Sequence, residues 1–379
     1  MAPEPSPTPP RHRPVWAEID LDAIRHNAGV LRHHAGGVDL MAVVKADGYG
    51  HGAVPVARAA LEGGATWLGV ALVEEGEELR DAGITAPILV LSEPPPAAAG
   101  ALLHAGLTPT VYTHVFTQAL IAAAGDRVVD VHLKIDTGMH RVGLPEPAWD
   151  EAFAHLAASP RLRVAGLWSH LAVGDVPDAG YTRAQAERFA DGVRRARAAG
   201  LAPDLLHLAN SGGTTLTPDV HLDLVRPGIA LYGNEAAPGI LLDELRPAMA
   251  LRSRLTFVKP LAAGESVSYG LRWTAARDTV VGTVAGGYAD GIRRGLTNVG
   301  EVVVGGRRCP IAGTVCMDQF LVDLGPGATD ASGDDVWLIG GPDAVAVTTA
   351  DWARWLDTIT YEVTCGISAR VPRVHTSRR

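Results

Sequence analysis

Five sets of polar residues in this chain occupy the same kind of place, just after a short apolar run. Lys45 follows one such run in "VVKADGYGHG" and is itself followed by three glycines within seven residues. Arg141 stands in "KIDTGMHRVG", His170 in "WSHLAVGD", Asn210 and Ser211 in "HLANSGG", and Arg226 in "VRPGIALYG". A solvated lysine needs neither the apolar lead nor the glycines. An amine shielded from water at such a place can add to a carbonyl. The carbonyl most often held this way belongs to pyridoxal phosphate, which asks for a Schiff-base lysine, a partner for its ring nitrogen and a phosphate cradle.

The elements that would position these residues are legible from periodicity. Apolar runs at 40–45, 67–71, 87–91, 109–112, 128–135, 164–169, 205–209 and 222–225 alternate with amphipathic stretches such as "VEEGEELRDAG" and "YTRAQAERFADGVRRARAAG". The second stretch ends on Gly200, a residue suited to a helix C-terminus. Eight strands alternating with helices predict an α/β fold, a (β/α)8 TIM barrel, in which chemistry sits at the carboxyl ends of the strands. All five polar sets then face one mouth. Phosphate sites in such barrels use the loops after strands seven and eight. Ser211 and the backbone of Gly212, Gly228 and Ile229 are the candidate donors there.

Beyond about residue 246 the segments "SRLTFVKPL", "TVVGTVAGGY", "EVVVGG", "FLVDL" and "DVWLIG" are short, β-branched and separated by turns, a β-rich pattern. One helix is expected in "TTADWARWLDTI". The organisation expected is a disordered N-terminal tail over 1–14, a barrel over 15–245 that opens with a spare strand and helix, and a mostly β C-terminal domain over 246–379.

Composition narrows the functional classes. With 42 acidic against 33 basic residues the chain carries a net charge of −9 and no dense basic run, which disfavours nucleic acid and anionic membrane surfaces as partners. Three cysteines in no paired spacing make no disulfide framework. No run of eighteen apolar residues spans a membrane, and the proline-rich first fourteen residues lack the apolar stretch of a signal peptide. The expectation is a cytoplasmic enzyme. No His/Cys/Asp grouping has metal-ligand spacing, so no metal site is expected. The glycines of "GGYADGIRRG" have no βαβ unit around them and do not read as a dinucleotide loop.

From about residue 15 to 373 the chain resembles the alanine racemases. The resemblance rests on "VVKADGYGHG", "KIDTGMHRVG", "ANSGG", "RPGIALYG", "VSYG", "GYADG", "CMDQ" and "YEVTCGISARVPR", in the family's order and approximate spacing. It implies that Lys45 carries pyridoxal phosphate and serves as one of two acid/bases, with Tyr269 of "VSYG" as the other on the opposite face. Arg226 would approach the ring nitrogen. Tyr49, Ser211, Gly228, Ile229 and Tyr361 would hold the phosphate, with Asn210 as a further contact. Arg141 and the backbone of Met317 would receive the substrate carboxylate. His170 would link Arg226 to Tyr269, while Lys134 and Asp318 would support the site. Asp175 and Tyr288 would line a narrow entrance. The implied reaction is interconversion of L-alanine and D-alanine, feeding peptidoglycan synthesis, in a homodimer whose β domain completes the partner's barrel mouth.

Elementary chemistry is consistent with these roles. Racemisation removes a proton from one face of a carbon and returns one to the other, which two bases do more directly than one. Tyrosine is a poor base until a cationic or hydrogen-bonded neighbour, such as His170 backed by Arg226, favours its anion. Arginine holds its own proton, so a ring nitrogen facing it stays largely unprotonated and the cofactor is a weaker electron sink. Related barrel enzymes that decarboxylate basic amino acids place glutamate there, and lone-barrel cofactor carriers lack the β half. Serine or a broader substrate set is an alternative, because one hydroxyl is worth little in binding. The family pattern has glycine where this chain has His140; a backbone of positive φ would be borne there with some strain. Lys134 matches a position where some relatives carry a carbamylated lysine.

Overall fold

The structure, a computed structural model, describes residues 12, 14–177, 180–240 and 243–377. The tail expected over 1–14 therefore lies almost wholly outside the described residues. Packing divides the chain into two units: Ala23–Arg246, and a second that joins the residues up to Asp22 to Pro247–Arg379.

The strand β1 (Val15–Asp20) belongs to the second unit. The first unit is built on β2 (Asp39–Val43), β3 (Trp67–Val70), β4 (Ile88–Val90), β5 (Thr108–Val111), β6 (Val129–Lys134), β7 (Leu162–Trp168), β8 (Leu205–His207) and β9 (Leu224–Val225). These pair in the order β8-β7-β6-β5-β4-β3-β2-β9, all parallel. Between β8 and β9 the sheet is stitched rather than laddered. Asp223 N–H donates to Leu206 O at 3.1 Å and Arg226 N–H to Ala209 O at 3.0 Å, while Leu206 N–H donates to the Asp223 carboxylate at 2.8 Å. The result is the expected barrel, nearly closed. Its strands are almost continuously buried, as strands covered on both faces must be. Met41, Leu89 and Leu224 form one buried cluster. The helix Gly180–Ala198 ends, as expected, just before Gly200, whose φ is 95°.

The second unit comprises β1 with β10 (Met249–Leu261), β11 (Ser266–Val267), β12 (Trp273–Thr274), β13 (Thr279–Ala285), β14 (Glu301–Val304), β15 (Arg307–Pro310), β16 (Gln319–Gly325), β17 (Asp335–Ile339) and β18 (Arg373–Thr376). Here the structure corrects the expected boundary. β1 pairs antiparallel with β10, Val15 opposite Ser253, and parallel with β18, Ala17 opposite Arg373. Its alternate residues Val15, Ala17 and Ile19 drop into the β-rich core beside Leu251, Phe320, Leu338 and Trp352. Sequence order placed this strand with the barrel, but its apolar face is matched by the other core. The expected C-terminal helix is present, over Thr349–Leu356, and a second short helix follows it. Asp357, at φ 52°, divides the region into Thr349–Leu356 and Thr360–Cys365, and the latter carries Tyr361.

Candidate active site

The backbone turns left-handed immediately after Lys45. Val44 N–H still donates to Gly69 O at 2.9 Å across to β3, and Lys45 is the next residue out. Ala46, Asp47, Gly48 and Tyr49 then have φ between 51 and 59° and ψ between 38 and 51°. Each non-glycine residue in that region costs on the order of 1–2 kcal/mol, so the turn must be held from outside. Glu75 accepts the Ala46 N–H at 2.7 Å, the Asp47 carboxylate accepts the Ala53 N–H at 2.8 Å, and Gly48 N–H reaches back to Val44 O at 2.9 Å. The turn buries Tyr49, whose ring lies 5.0 Å from that of Tyr232.

The Tyr49 hydroxyl and Gly228, both expected at a phosphate, are adjacent: a Cβ on Gly228 would stand 2.4 Å from that oxygen. Ser211, expected at the same phosphate, bonds to this segment. Its Oγ accepts N–H bonds from Gly228 at 2.9 Å and Ala230 at 3.3 Å, which leaves the hydroxyl proton to donate. Asn210 is engaged at both ends of its amide, capping Gly213 N–H at 3.0 Å and donating to Leu171 O at 3.3 Å. Gly212 lies against the backbone of Gly174 and Asp175, where a Cβ would approach to 2.5 Å. Gly228→Ala is expected to displace the Tyr49 phenol. Overpacking of about 1–3 kcal/mol corresponds to roughly 10- to 100-fold weaker retention of a phosphate-bearing cofactor, measured by absorbance titration of the apo-protein. Unchanged retention would remove Gly228 and Tyr49 from the cradle.

Arg226 is 3% exposed and bonds to neutral acceptors: Ser169 O at 2.8 Å, Leu208 O at 3.2 Å, His207 Nδ1 at 3.1 Å and His170 Nδ1 at 3.4 Å. Its guanidinium also lies over Trp168, 4.7 Å from the ring centroid. Burial brings its pKa down to about 9, which still keeps it protonated at neutral pH. For His170 the expectation left open a cationic or a hydrogen-bonded neighbour. Burial, together with the charges of Arg226, Lys134, Arg141 and Lys45, holds its pKa well below the usual histidine value. It is therefore neutral. Because Arg226 only donates, the neutral ring receives at Nδ1 and carries its proton on Nε2.

Lys134, at the end of β6, is buried with Nζ 4.2 Å from the Trp168 centroid. Burial, followed by the charges of Arg226, Arg141 and Lys45, lowers its pKa to about 7, against a smaller opposing effect of Asp136. Lys45, Lys134, Arg141 and Arg226 therefore share one electrostatic neighbourhood. Next to Arg141, His140 has the positive φ anticipated for the position, 54°. Asp136 braces it, accepting the His140 N–H at 3.2 Å and lying 3.2 Å from the imidazole Nδ1.

Five further sequence candidates lie in the β-rich unit. Tyr269 sits 76% exposed on a turn flanked by positive φ at Ser268 (65°) and Leu271 (49°). The turn is clamped from its backbone: Ser268 Oγ donates to Thr314 O and Thr314 Oγ1 to Tyr269 O, both at 2.7 Å. Tyr288 N–H donates to Cys316 O at 3.0 Å and Ala289 N–H to Met317 O at 3.1 Å. Asp318 accepts from Arg370 at 2.8 Å. Tyr361 lies in the helix Thr360–Cys365 of the same unit.

The family model for the N-terminal domain of alanine racemase matches residues 19–236, and that for the C-terminal domain matches residues 248–375. The chain belongs to the alanine racemase family. It is 46% identical to the alanine racemase of Symbiobacterium thermophilum, covering 96% of this chain and 97% of the relative. With that of Thermobifida fusca it shares 47%, covering 95% and 97%. The solved alanine racemase from the D-cycloserine producer Streptomyces lavendulae superposes with a TM-score of 0.93 at 39% identity, over 98% of this chain and 99% of that one.

Several supporting residues had no distinctive sequence signal. Glu75 reads as one acid among many in a helix, and Thr314 as an ordinary loop residue. His132 and His207 read as single polar positions in buried strands. Only the packing shows what each touches.

Proposed function

We propose that this chain interconverts L-alanine and D-alanine with pyridoxal phosphate, Lys45 and Tyr269 taking and returning the Cα proton on opposite faces. The observation that carries the reading is the convergence of Lys45, Arg141 and Arg226 on the surroundings of His170 and Lys134 at the barrel mouth. Such a cluster suits two anionic groups at once, a phosphate and an amino-acid carboxylate.

The residues present fit that cofactor. The Ser211 proton, the Tyr49 hydroxyl and the close approach at Gly228 suit a phosphate, with Ile229 and Tyr361 as further contacts. Arg226 remains protonated beside acceptors that do not neutralise it, as a partner for an unprotonated ring nitrogen should. When bound, pyridoxal phosphate draws electrons from the α-carbon of an attached amino acid and so acidifies its C–H bond. Arg141 and the Met317 N–H receive the substrate carboxylate and fix which face each base meets. His170, neutral with its proton on Nε2, offers that proton to the Tyr269 oxygen, so hydrogen bonding rather than a positive charge favours the tyrosinate. Asp318 steadies the Met317 turn through Arg370, and Asp175 and Tyr288 line the approach.

Purified protein loaded with pyridoxal phosphate and given L-alanine should yield D-alanine by chiral chromatography, with L-serine in parallel to separate a broader racemase. Absence of either enantiomer's conversion would overturn the reading. A homodimer accounts for the exposed Tyr269, Leu271 and Met317, the β-rich unit of one chain completing the barrel mouth of the other. Specific activity should then fall on dilution below the dimer's dissociation constant. Among the described residues no helix is long and apolar enough to cross a membrane, in keeping with a cytoplasmic enzyme supplying D-alanine for peptidoglycan.

Lys134 is the natural site of the carbamylation known in relatives. Carbon dioxide adds to a neutral amine, forming an N–C bond and releasing a proton. With a pKa of about 7, roughly a tenth of Lys134 is neutral at pH 6 and nearly all at pH 8.5. The carbamate anion would also stand among Arg141, Arg226 and Lys45. Labelling with 13C-bicarbonate should therefore give a carbamate resonance that grows from pH 6 to pH 8.5 and is missing in Lys134→Ala. A signal equal in that variant would place the adduct elsewhere.

A further inference from the structure

Arg226 is held from behind by His207, itself backed by His132, and neither histidine takes part in the chemistry proposed above. We propose that His207, locked in one tautomer by His132, is the positioning residue that aims the Arg226 guanidinium into the barrel mouth. The proposal rests on the racemase reading only for what Arg226 then does.

Proton counting along the chain of contacts gives the lock its direction. Arginine donates and never accepts, so the His207 Nδ1 that lies 3.1 Å from Arg226 Nη1 must carry a lone pair. The His207 proton is then on Nε2, which lies 3.0 Å from His132 Nδ1. That nitrogen must accept in turn, which puts the His132 proton on Nε2. This last nitrogen is buried and has no acceptor among the described residues. A flipped His207 would turn an N–H toward the guanidinium and leave His132 without its donor. The arrangement is therefore polar in one sense only, from Arg226 to His207 to His132.

Packing fixes both rings in place. His132 is on β6 and His207 on β8, with β7 between them. The two rings meet because β7 carries Gly166 there: a Cβ on it would lie 2.6 Å from His132 ring atoms. Trp168 stacks on His207 at 5.4 Å and 8° between planes, and Trp67 of β3 lies 5.2 Å from His132. Both imidazoles have no exposed surface. Burial and the Arg226 charge keep them neutral; His132 titrates at about 4, and His207 well below the usual value. The other charges that reach them are Lys134 at His207 and Asp130 at His132. A carboxylate in the place of His207 would hold Arg226 equally well but would neutralise it. An imidazole orients the guanidinium and leaves its charge intact for whatever binds in front.

The test begins on the full chain free of cofactor. Two-bond 1H–15N spectra of histidine-labelled protein should show both rings as Nε2–H tautomers, unchanged from pH 8 to pH 5.5. An Nδ1–H tautomer at either ring overturns the proposal, and this outcome does not depend on whether the chain is a racemase. In loaded protein, His207→Leu should alter the visible absorption of the cofactor and lower kcat roughly 10- to 100-fold with little change in KM. His207→Asn, whose amide oxygen can replace Nδ1, should restore most of both. His132→Leu, which frees the tautomer of His207, should fall between them. Wild-type spectra and kcat in His207→Leu would show that Arg226 needs no such support. If His207→Leu does not fold, the tautomer spectra and His132→Leu still decide the matter.

Discussion

Replacing Lys45 with alanine is expected to lower racemisation by about 10^4-fold or more, with thermal unfolding little changed. The size of the effect follows from the number of tasks one amine performs. In the proposed mechanism Lys45 would both attach the cofactor and carry the proton on one face, two tasks that another amine would have to assume together. Lys134 belongs to the same electrostatic neighbourhood, but it is buried at the end of β6 against Trp168. The fold should survive because Lys45 is only half-buried, and the turn after it is held by Glu75, Asp47 and Val44 rather than by the lysine's carbons. Initial rates by chiral chromatography give the kinetic answer. Borohydride reduction of wild-type holoprotein followed by peptide mapping should place the B6 label on Lys45. Activity within tenfold of wild type, or a label on another lysine, would remove Lys45 from the centre of the mechanism.

Tyr269→Phe is expected to be selective as well as large. It should reduce turnover by roughly 10^2- to 10^4-fold, the usual contribution of one acid/base. Exchange of the L-alanine Cα proton with solvent deuterium should be lost, whereas that of D-alanine persists through Lys45. The structure gives a reason to read this result as chemistry. Ser268 and Thr314 clamp the turn through backbone carbonyls, so deletion of the phenol oxygen leaves those anchors in place. Equal loss of exchange for both enantiomers would point to a general disturbance of the site, and normal L-alanine exchange would assign that face to another residue.

The extent to which sequence foretold this architecture differs from element to element. The barrel strands were legible because buried parallel strands form compact apolar runs, and counting eight of them placed Lys45, Arg141, His170, Ser211 and Arg226 at one mouth. The partners of β1 were not legible. Its alternation of Val15, Ala17 and Ile19 specifies a strand with one buried face, but only the register with Ser253 and Arg373 says against which core. His132 and His207 escaped notice for a related reason. One histidine in "VDVHLK" and one in "LLH" carry no spacing signal, and they meet only because β7 has a glycine between them. His170 was recognised by position, yet its charge state depends on burial and on four cations that converge from separate segments of the chain. The helix expected in "TTADWARWLDTI" is found over Thr349–Leu356, and its end at Asp357 depends on one left-handed residue that is not glycine.

The reversed turn at residues 46–49 has a bearing on how the enzyme matures. Three of its four residues are not glycine and sit in a conformation that L-amino acids avoid, so an unfinished chain has no reason to adopt it. Its supports include Glu75 from the helix after β3 and, through Tyr49, contact with Gly228 just past β9. β9 is also the strand that closes against β2. The nascent protein thus carries Lys45 as a common flexible side chain until the final barrel strand has been made and docked. In pulse-labelling during refolding, capture of the vitamin should lag behind helix formation and coincide with closure, which would spare half-made molecules from trapping stray aldehydes.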